Sequence, residues 1–243
     1  MILYLAKKRF KRFWENLSAF LSGLFSRTIL YTIWFNLRYL PWKQAKHLPI
    51  IIYDSKVYGK PKVQLNTPDL TRGMVRIGRQ GKNLWNNNSL SSLTFWDGGK
   101  IIFKGSAKLT RSVHLRVLNS GTLEIGNNFY TSSNLNLHCA QSVIIGNNVT
   151  LGWDVMLMDT DYHKYWEEER NRLATHIKRV HIGSNCWIGS KTIITKGTHI
   201  ENHTIVGAGS VVSGNFDKSN VIIKGNPAVI VREGVAIKED LFW

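Results

Sequence analysis

Residues 182–216 read IGSNCWIGSKTIITKGTHIENHTIVGAGSVVSGNF and keep one beat throughout. Ile182, Ile188, Ile194, Ile200, Val206 and Val212 recur every six residues. The fourth residue after each is Cys186, Thr192, Thr198, Thr204, Ser210 and Phe216. A run of short repeats of fixed period is the signature of a stacked solenoid. Each unit reads as one short strand plus a turn, with the aliphatic anchor inward and the small residue at a tight corner. Three units close a triangular coil, and coils stack about 4.8 Å apart through parallel-strand hydrogen bonds. No coil buries its own apolar face, so stability comes from stacking and the ends need caps.

The beat extends upstream. Ile145, Leu151 and Leu157 are six apart, with Val149 and Val155 four after the first two. Gly146 and Gly152 follow two of these anchors, a placement that suits unusual backbone angles. Before a two-residue slip, Phe103, Leu109 and Leu115 keep the same spacing, with Ala107 and Val113 at the corners. Between the two regular stretches stands MLMDTDYHKYWEEERNR, residues 156–172, which breaks the rhythm. It places Asp159, Asp161 and His163 on alternate positions, a spacing that puts side chains on one face of extended backbone.

Ahead of the repeats the pattern changes. LPIIIYDSKVYG and VQLNTPDLTRGMVRIG read as short strands punctuated by Gly and Pro. Phe10, Phe13, Trp14, Leu17, Phe20, Leu21 and Leu24 fit an amphipathic helix, and Ser26 is placed to cap a second helix over Thr28–Tyr39 that Pro41 ends. These helices either pack on the body of the protein or lie in the plane of a membrane surface, and the two readings are compatible. The net charge is +16, and nine basic residues stand against Glu15 alone in residues 1–47. Such a segment suits anionic lipid or an acidic partner. No nucleic-acid-binding motif accompanies it, so nucleic acid is not an expected partner. MILYLAKKRFKRF has its apolar run before its basic cluster, the reverse of a secretory signal, and Arg27 interrupts the next apolar stretch. Cys139 and Cys186 are too few for a disulfide framework and lack metal-ligand spacing. The expectation is a cytoplasmic protein with peripheral contact at the inner membrane face through residues 1–40.

In IGNNVTLGWDV, NCWIGSKTIITKGTHIENHTIVGAGSVVSG and KGNPAVIVR the chain resembles the hexapeptide-repeat acyltransferases. Within them it is most similar to the galactoside, maltose and cell-surface polysaccharide O-acetyltransferases, over roughly residues 100–232. The resemblance implies a mainly β fold, a left-handed parallel β-helix with an N-terminal helical segment. It also implies a homotrimer, acetyl-CoA as co-substrate without a metal, and active sites between neighbouring subunits. The expected organisation is a basic helical segment over 1–47, the β-helix over 48–231 with an excursion at about 160–180, and a tail over 232–243.

The same resemblance supplies a site. Acetyl transfer to a hydroxyl needs a base to take the proton as oxygen attacks the thioester, and neutral imidazole suits this at a pKa of about 6.5. Relatives carry their catalytic histidine before an extended loop, which points to His163. Asp161 is expected to orient its ring, and Asp159 to orient either the ring or the acceptor; which aspartate acts is open. The donor site would be Trp187, Gly189, Ser190, Gly207 and Ala208, whose small members let a pantetheine arm approach the backbone. Lys224 and Arg232 would contact phosphate, although Gly214 stands where many relatives have lysine and Val229 where some have arginine. On the acceptor side Asn134, Asn136 and Trp153 are candidates, with Tyr162 as a second stacking ring; an asparagine ladder explains the first two equally well. His138 is a weaker candidate for the acceptor pocket, and His199 and His203 are read as corner residues.

The function expected is O-acetylation of a sugar hydroxyl on a cell-surface polysaccharide or its precursor, by direct transfer in a ternary complex. The alternatives are N-acetylation of an amino sugar, a zinc enzyme of the β-helix carbonic anhydrase type built on His176 and His181, and a non-catalytic assembly subunit.

Overall fold

The computed structural model describes residues 27–53, 55–78 and 90–237. The helix expected around Phe10–Leu24 and its neighbour's Ser26 cap lie outside the described residues. The chain forms a parallel β-helix whose strands line three faces. The first face has nine strands, from Ile50–Ile52 to Ala228–Glu233. The second has seven, from Ser55–Gly59 to Val211–Val212, and the third seven, from Lys62–Leu65 to Asn215–Phe216. Every pairing along the stack is parallel except the last, where Ala228–Glu233 runs antiparallel to Val221–Gly225.

The anchors are the core. Ile145, Leu151, Leu157, Ile182, Ile188, Ile194, Ile200, Val206 and Val212 are all buried and stack in register between coils. One coil escapes the aliphatic pattern: Ile125, Thr131 and Leu137 are also six apart and buried, but a threonine holds the first-face position. Its hydroxyl donates to the Ser132 carbonyl at 3.1 Å, which makes a polar anchor tolerable inside the stack.

At the corners the hydroxyls expected to be merely small carry hydrogen bonds. Thr192, Thr198 and Thr204 each donate to the carbonyl three residues back at 2.7 Å, and Ser210 does so at 2.6 Å. Each gives a carbonyl of its own turn a side-chain donor. The glycines after the anchors have a different cause from the one expected. Gly146, Gly152, Gly183 and Gly189 do not have positive φ. A Cβ on Gly189 would lie 2.5 Å from the Ala208 amide nitrogen, and one on Gly146 2.6 Å from that of Ser184. They are glycine because the next coil's backbone is too close. The left-handed conformation instead falls three residues after an anchor, at Asn128, Asn134, Asn148, Asp154, Asn185, Lys191, Gly197, His203 and Gly209. Asparagine, aspartate and glycine tolerate it best. His199, expected at a corner, lies on a third-face strand beside its anchor.

The N-terminal end of the stack is closed by two helices, α1 (Arg27–Tyr39) and α2 (Trp42–Ala45). α1 buries Thr32, Phe35 and Asn36 against the first strand. Asn36 Nδ2 donates to the Ile50 carbonyl at 2.6 Å, and its Oδ1 accepts the Ile50 amide at 3.2 Å. The Ile52 amide donates to Thr32 Oγ1, and Gln44 on α2 donates to the Leu65 carbonyl, both at 3.2 Å. Side chains thus replace the strands that the edge lacks. The opposite side of α1 exposes Leu30, Trp34 and Leu37, with Trp42 nearby in sequence. No described helix is long and apolar enough to cross a membrane.

Candidate functional site

From Leu93 to Val206, every irregularity in repeat length falls at one edge of the prism, between the second and third faces. The anchors across that corner are Leu93 and Phe103, Leu115 and Ile125, Leu137 and Ile145, Leu157 and Ile182, then Ile194 and Ile200. The intervals are ten, ten, eight, twenty-five and six residues. The longest is the break at residues 156–172, and it folds as an arm. Asp161 N–H donates to the His176 carbonyl and Lys178 N–H to that of Asp159, both at 2.9 Å. Further out, Trp166–Glu167 pairs antiparallel with Arg172–Leu173.

The arm is clamped at its base from both neighbouring coils. Asp159 is 0% exposed and accepts the amides of Ala140, Gln141 and Ser142 at 2.7, 2.8 and 2.7 Å. Three donors saturate the carboxylate and tie the arm to the coil before it. From the coil after it, Lys196 Nζ pairs with the Asp161 carboxylate and donates to the Thr175 carbonyl at 2.9 Å. Lys196 Nζ is also 6.0 Å from the Tyr165 ring centroid.

Two expectations about the aspartates are therefore corrected. Asp159 does not face an acceptor, because it is buried and its oxygens are taken by backbone. Asp161 is held by Lys196 and not by His163. The alternating-face premise fails at Tyr162, whose φ is +62°, and the His163 amide turns back to the Asp161 carbonyl at 2.7 Å. This turn leaves His163 exposed at the arm's base. Among the described residues nothing holds its imidazole.

Tyr162 gains a partner that the sequence hid. Its hydroxyl lies 2.5 Å from His138 Nδ1, with the rings edge to face at 5.5 Å between centroids. Burial pushes the His138 pKa down and Arg116 adds to this, opposed by Asp159. Burial raises the Tyr162 phenol, opposed by Arg116 and helped by Asp159. Both groups are held neutral. His138 stands directly over Arg116 in register on the outward side of the second face. Asn136, two residues before it, faces the same way between His114 and Met156. Asn134 does not: it is a left-handed corner residue whose amide donates to Asp154 at 2.8 Å, a rung of the ladder that the sequence left open.

The donor candidates gather at another edge, between the first and second faces. Trp187 is 44% exposed on a first-face strand. Gly189–Ser190 stacks on Gly207–Ala208, with the Gly209 amide donating to the Ser190 carbonyl at 2.8 Å. The Ser190 hydroxyl accepts the Trp153 amide at 3.2 Å, so Trp153 belongs to this corner as well, and its ring is exposed. The result is a column of small residues, at least partly exposed at Ser190, Gly207 and Ala208, against which a slender chain can lie. Lys224 and Arg232 are exposed on the closing hairpin, while Lys218 is paired with Glu233 at 2.5 Å. Within one chain the whole second face separates this column from His163.

Other chemistry is poorly served. Both cysteines are buried, and burial raises the Cys139 thiol strongly and that of Cys186 to about 11. Neither offers a thiolate near neutral pH. His176 and His181 are not joined: His181 stacks on His199, their Nδ1 atoms 3.0 Å apart. Among the described residues no three His, Cys, Asp or Glu side chains converge as metal ligands would.

Residues 179–214 match a family model described as bacterial transferase hexapeptide (six repeats). A galactoside O-acetyltransferase of Escherichia coli K12 is 35% identical over 111 residues, covering 46% of this chain and 54% of that protein. A Dictyostelium discoideum protein provisionally named an acetyltransferase is 34% identical over 148 residues, covering 60% of this chain and 77% of its own length. The crystal structure of the polySia specific acetyltransferase NeuO superimposes with a TM-score of 0.57 at 17% identity, covering 78% of each chain. At that identity the likeness is one of fold. The chain spans about half the length of the galactoside O-acetyltransferases it matches.

Proposed function

On the premise that the chain belongs to the hexapeptide-repeat transferases, we propose that it moves acetyl from acetyl-CoA to a sugar hydroxyl of a cell-surface polysaccharide or its precursor. The observation that carries this reading is His163: an exposed, unpaired imidazole at the base of a clamped arm, on the edge that carries the longest break in the repeat. As general base it takes the hydroxyl proton while the oxygen attacks the thioester carbonyl, and the tetrahedral intermediate expels the CoA thiolate. Acceptor and donor meet directly, since neither buried thiol is available as a covalent relay. Backbone amides of a neighbouring coil supply oxyanion stabilisation.

The pantetheine arm lies along Gly189, Ser190, Gly207 and Ala208 beside Trp187, and the CoA phosphates meet Lys224 and Arg232. That column and His163 are a full face apart in one chain, so the reaction needs a second copy, and a homotrimer meets this need. Asn136 and Tyr162 are the acceptor-side residues best supported by position, and Asp161 acts on the arm through Lys196.

The test is acetyl transfer to a sugar panel with His163→Ala. A fall of about 10²–10⁴ in kcat is expected, with CoA binding retained. Undiminished transfer by a folded, CoA-binding variant overturns the mechanism. Mixing His163→Ala subunits with Ala208→Trp subunits should restore part of the activity if the site is shared.

Peripheral membrane contact completes the reading. Leu30, Trp34 and Leu37 form an exposed stripe on α1, with Trp34 stacked on Tyr31, followed by Arg38, Lys43 and Lys46. Cosedimentation with anionic phospholipid vesicles is expected, weakening with Trp34→Ser plus Leu37→Ser and absent with neutral vesicles. Equal binding to both vesicle types counts against it.

A further inference from the structure

Outward residues on the second face form a continuous column that ends at the arm. Tyr58 is in register with Thr94, Thr94 with Arg116, Arg116 with His138, and His138 with Met158. Residues Tyr162 and His163 follow within five positions of Met158. At the far end of the column, on the same broken edge, Trp96 is 58% exposed. It borders a shallow cleft of about 590 Å³ lined by Gly59, Lys60, Phe95, Trp96, Asp97 and Gly98. A Cβ on Gly59 would lie 3.3 Å from the Trp96 ring, so the indole rests against the backbone of the coil above. From the Thr94 strand to the Met158 strand is three inter-strand steps, about 14 Å. That is the span of several linked pyranose rings.

The middle of the column carries a cation that has no ion-pair partner among the described residues. Arg116 is exposed, and its electrostatic neighbours are His114, His138 and Tyr162. Among the described residues no carboxylate forms an ion pair with it, whereas Lys104, Lys196 and Lys218 each have one. A guanidinium with no carboxylate partner, beside the Tyr162 phenol and a histidine, is suited to a planar anionic group.

We propose that the acceptor is an anionic oligosaccharide lying along this column, its carboxylate or phosphate on Arg116 and a distal ring against Trp96. The inference rests on the sugar acetyltransferase reading and adds to it both charge and length. The ring to be modified lies at the Tyr162–His163 end. Rings further along the chain run over Arg116 towards Trp96, so that a monosaccharide uses only part of the surface.

The full chain is titrated with carboxylate-bearing, phosphate-bearing and neutral oligosaccharides, from monosaccharide to hexasaccharide, and binding is read by calorimetry. Anionic members are expected to bind at least about tenfold tighter than neutral ones. Affinity should rise with length and then level off. Arg116→Gln should erase the charge preference and Arg116→Lys keep part of it. Trp96→Ala should weaken the longer members about threefold to tenfold and leave monosaccharides unchanged. The carboxylate and phosphate arms decide which anion is read. Equal binding of neutral members, no gain with length, no binding by any member, or an Arg116→Gln variant that keeps its preference overturns the proposal. CoA binding and acetyl transfer to small sugars, measured in the same variants, report separately on the parent reading. If both are intact while charge and length have no effect, only the present inference fails.

Discussion

At the edge between the first and second faces, anchors are six residues apart in every coil from Leu109 to Val212; at the edge between the second and third, the interval runs from four to twenty-five. Both edges belong to the same stack and share its core. The regular edge is built from close contacts between successive backbones, as at Gly152 on Ser190 and Gly189 on Ala208. A residue added there has no room and would displace every coil after it. At the other edge the chain leaves the stack before returning, so extra residues go into solvent. The lesson is that a solenoid can vary sequence length along one line while another line of the same stack stays fixed. The candidate base stands on the variable line and the proposed donor column on the fixed one.

The sharpest way to break this comparison is to insert the same Gly-Ser pair at each edge. Placed after Ser190 it should cost more than about 4 kcal/mol or prevent folding, because all later anchors change register. Placed between Glu169 and Arg170, at the arm's tip, it should stay within about 0.5 kcal/mol. Urea denaturation of the two variants decides the matter, and equal costs would refute the division of labour. A smaller effect tests how the variable edge is kept in place. Asp159→Ala leaves three backbone amides, one buried and two partly buried, without their acceptor and should cost about 3 kcal/mol, while Asp159→Asn, with one remaining acceptor oxygen, should cost less. A loss under about 1 kcal/mol would show that the clamp is dispensable.

The smallest effect concerns pH. His114, His138 and His181 are each held below the ordinary imidazole value, first by burial, with Arg116 contributing at the first two and His199 at the third. The unfolded chain therefore takes up protons more readily than the folded one. Stability from these groups is complete above about pH 6.5 and is lost as pH falls through the depressed values. The urea midpoint should drop between neutral and mildly acidic pH, and less steeply in His138→Gln. An unchanged slope in that variant would remove His138 from the set.

Much of the fold was legible because the anchors are aliphatic and their period is strict. The coil of Ile125, Thr131 and Leu137 was not, since a threonine reads as polar until its hydroxyl is seen bonding inside the stack. The glycines were found for the wrong reason: period shows where they recur, but only the stacked backbones show what they avoid. The arm's place was visible as a lapse in rhythm. Its wiring was not, because the partners of Asp159 are amides nineteen to seventeen residues earlier and that of Asp161 is a lysine thirty-five later. The pairing of Tyr162 with His138 and the edge-capping by Thr32 and Asn36 have no local signal either. Each depends on which turn of the stack a residue reaches.

The two ends of the nine-stranded face set a limit on assembly. A parallel stack with open ends is a template to which another copy can add, and repeated addition makes a fibre. Here Thr32 and Asn36 occupy the hydrogen-bonding positions at one end, and at the other Ala228–Glu233 runs against the direction of every strand before it. Neither terminus presents the pattern that a further parallel coil requires. On this face, addition of a parallel coil along the axis is disfavoured at both ends, by side-chain caps at one and by reversed strand direction at the other.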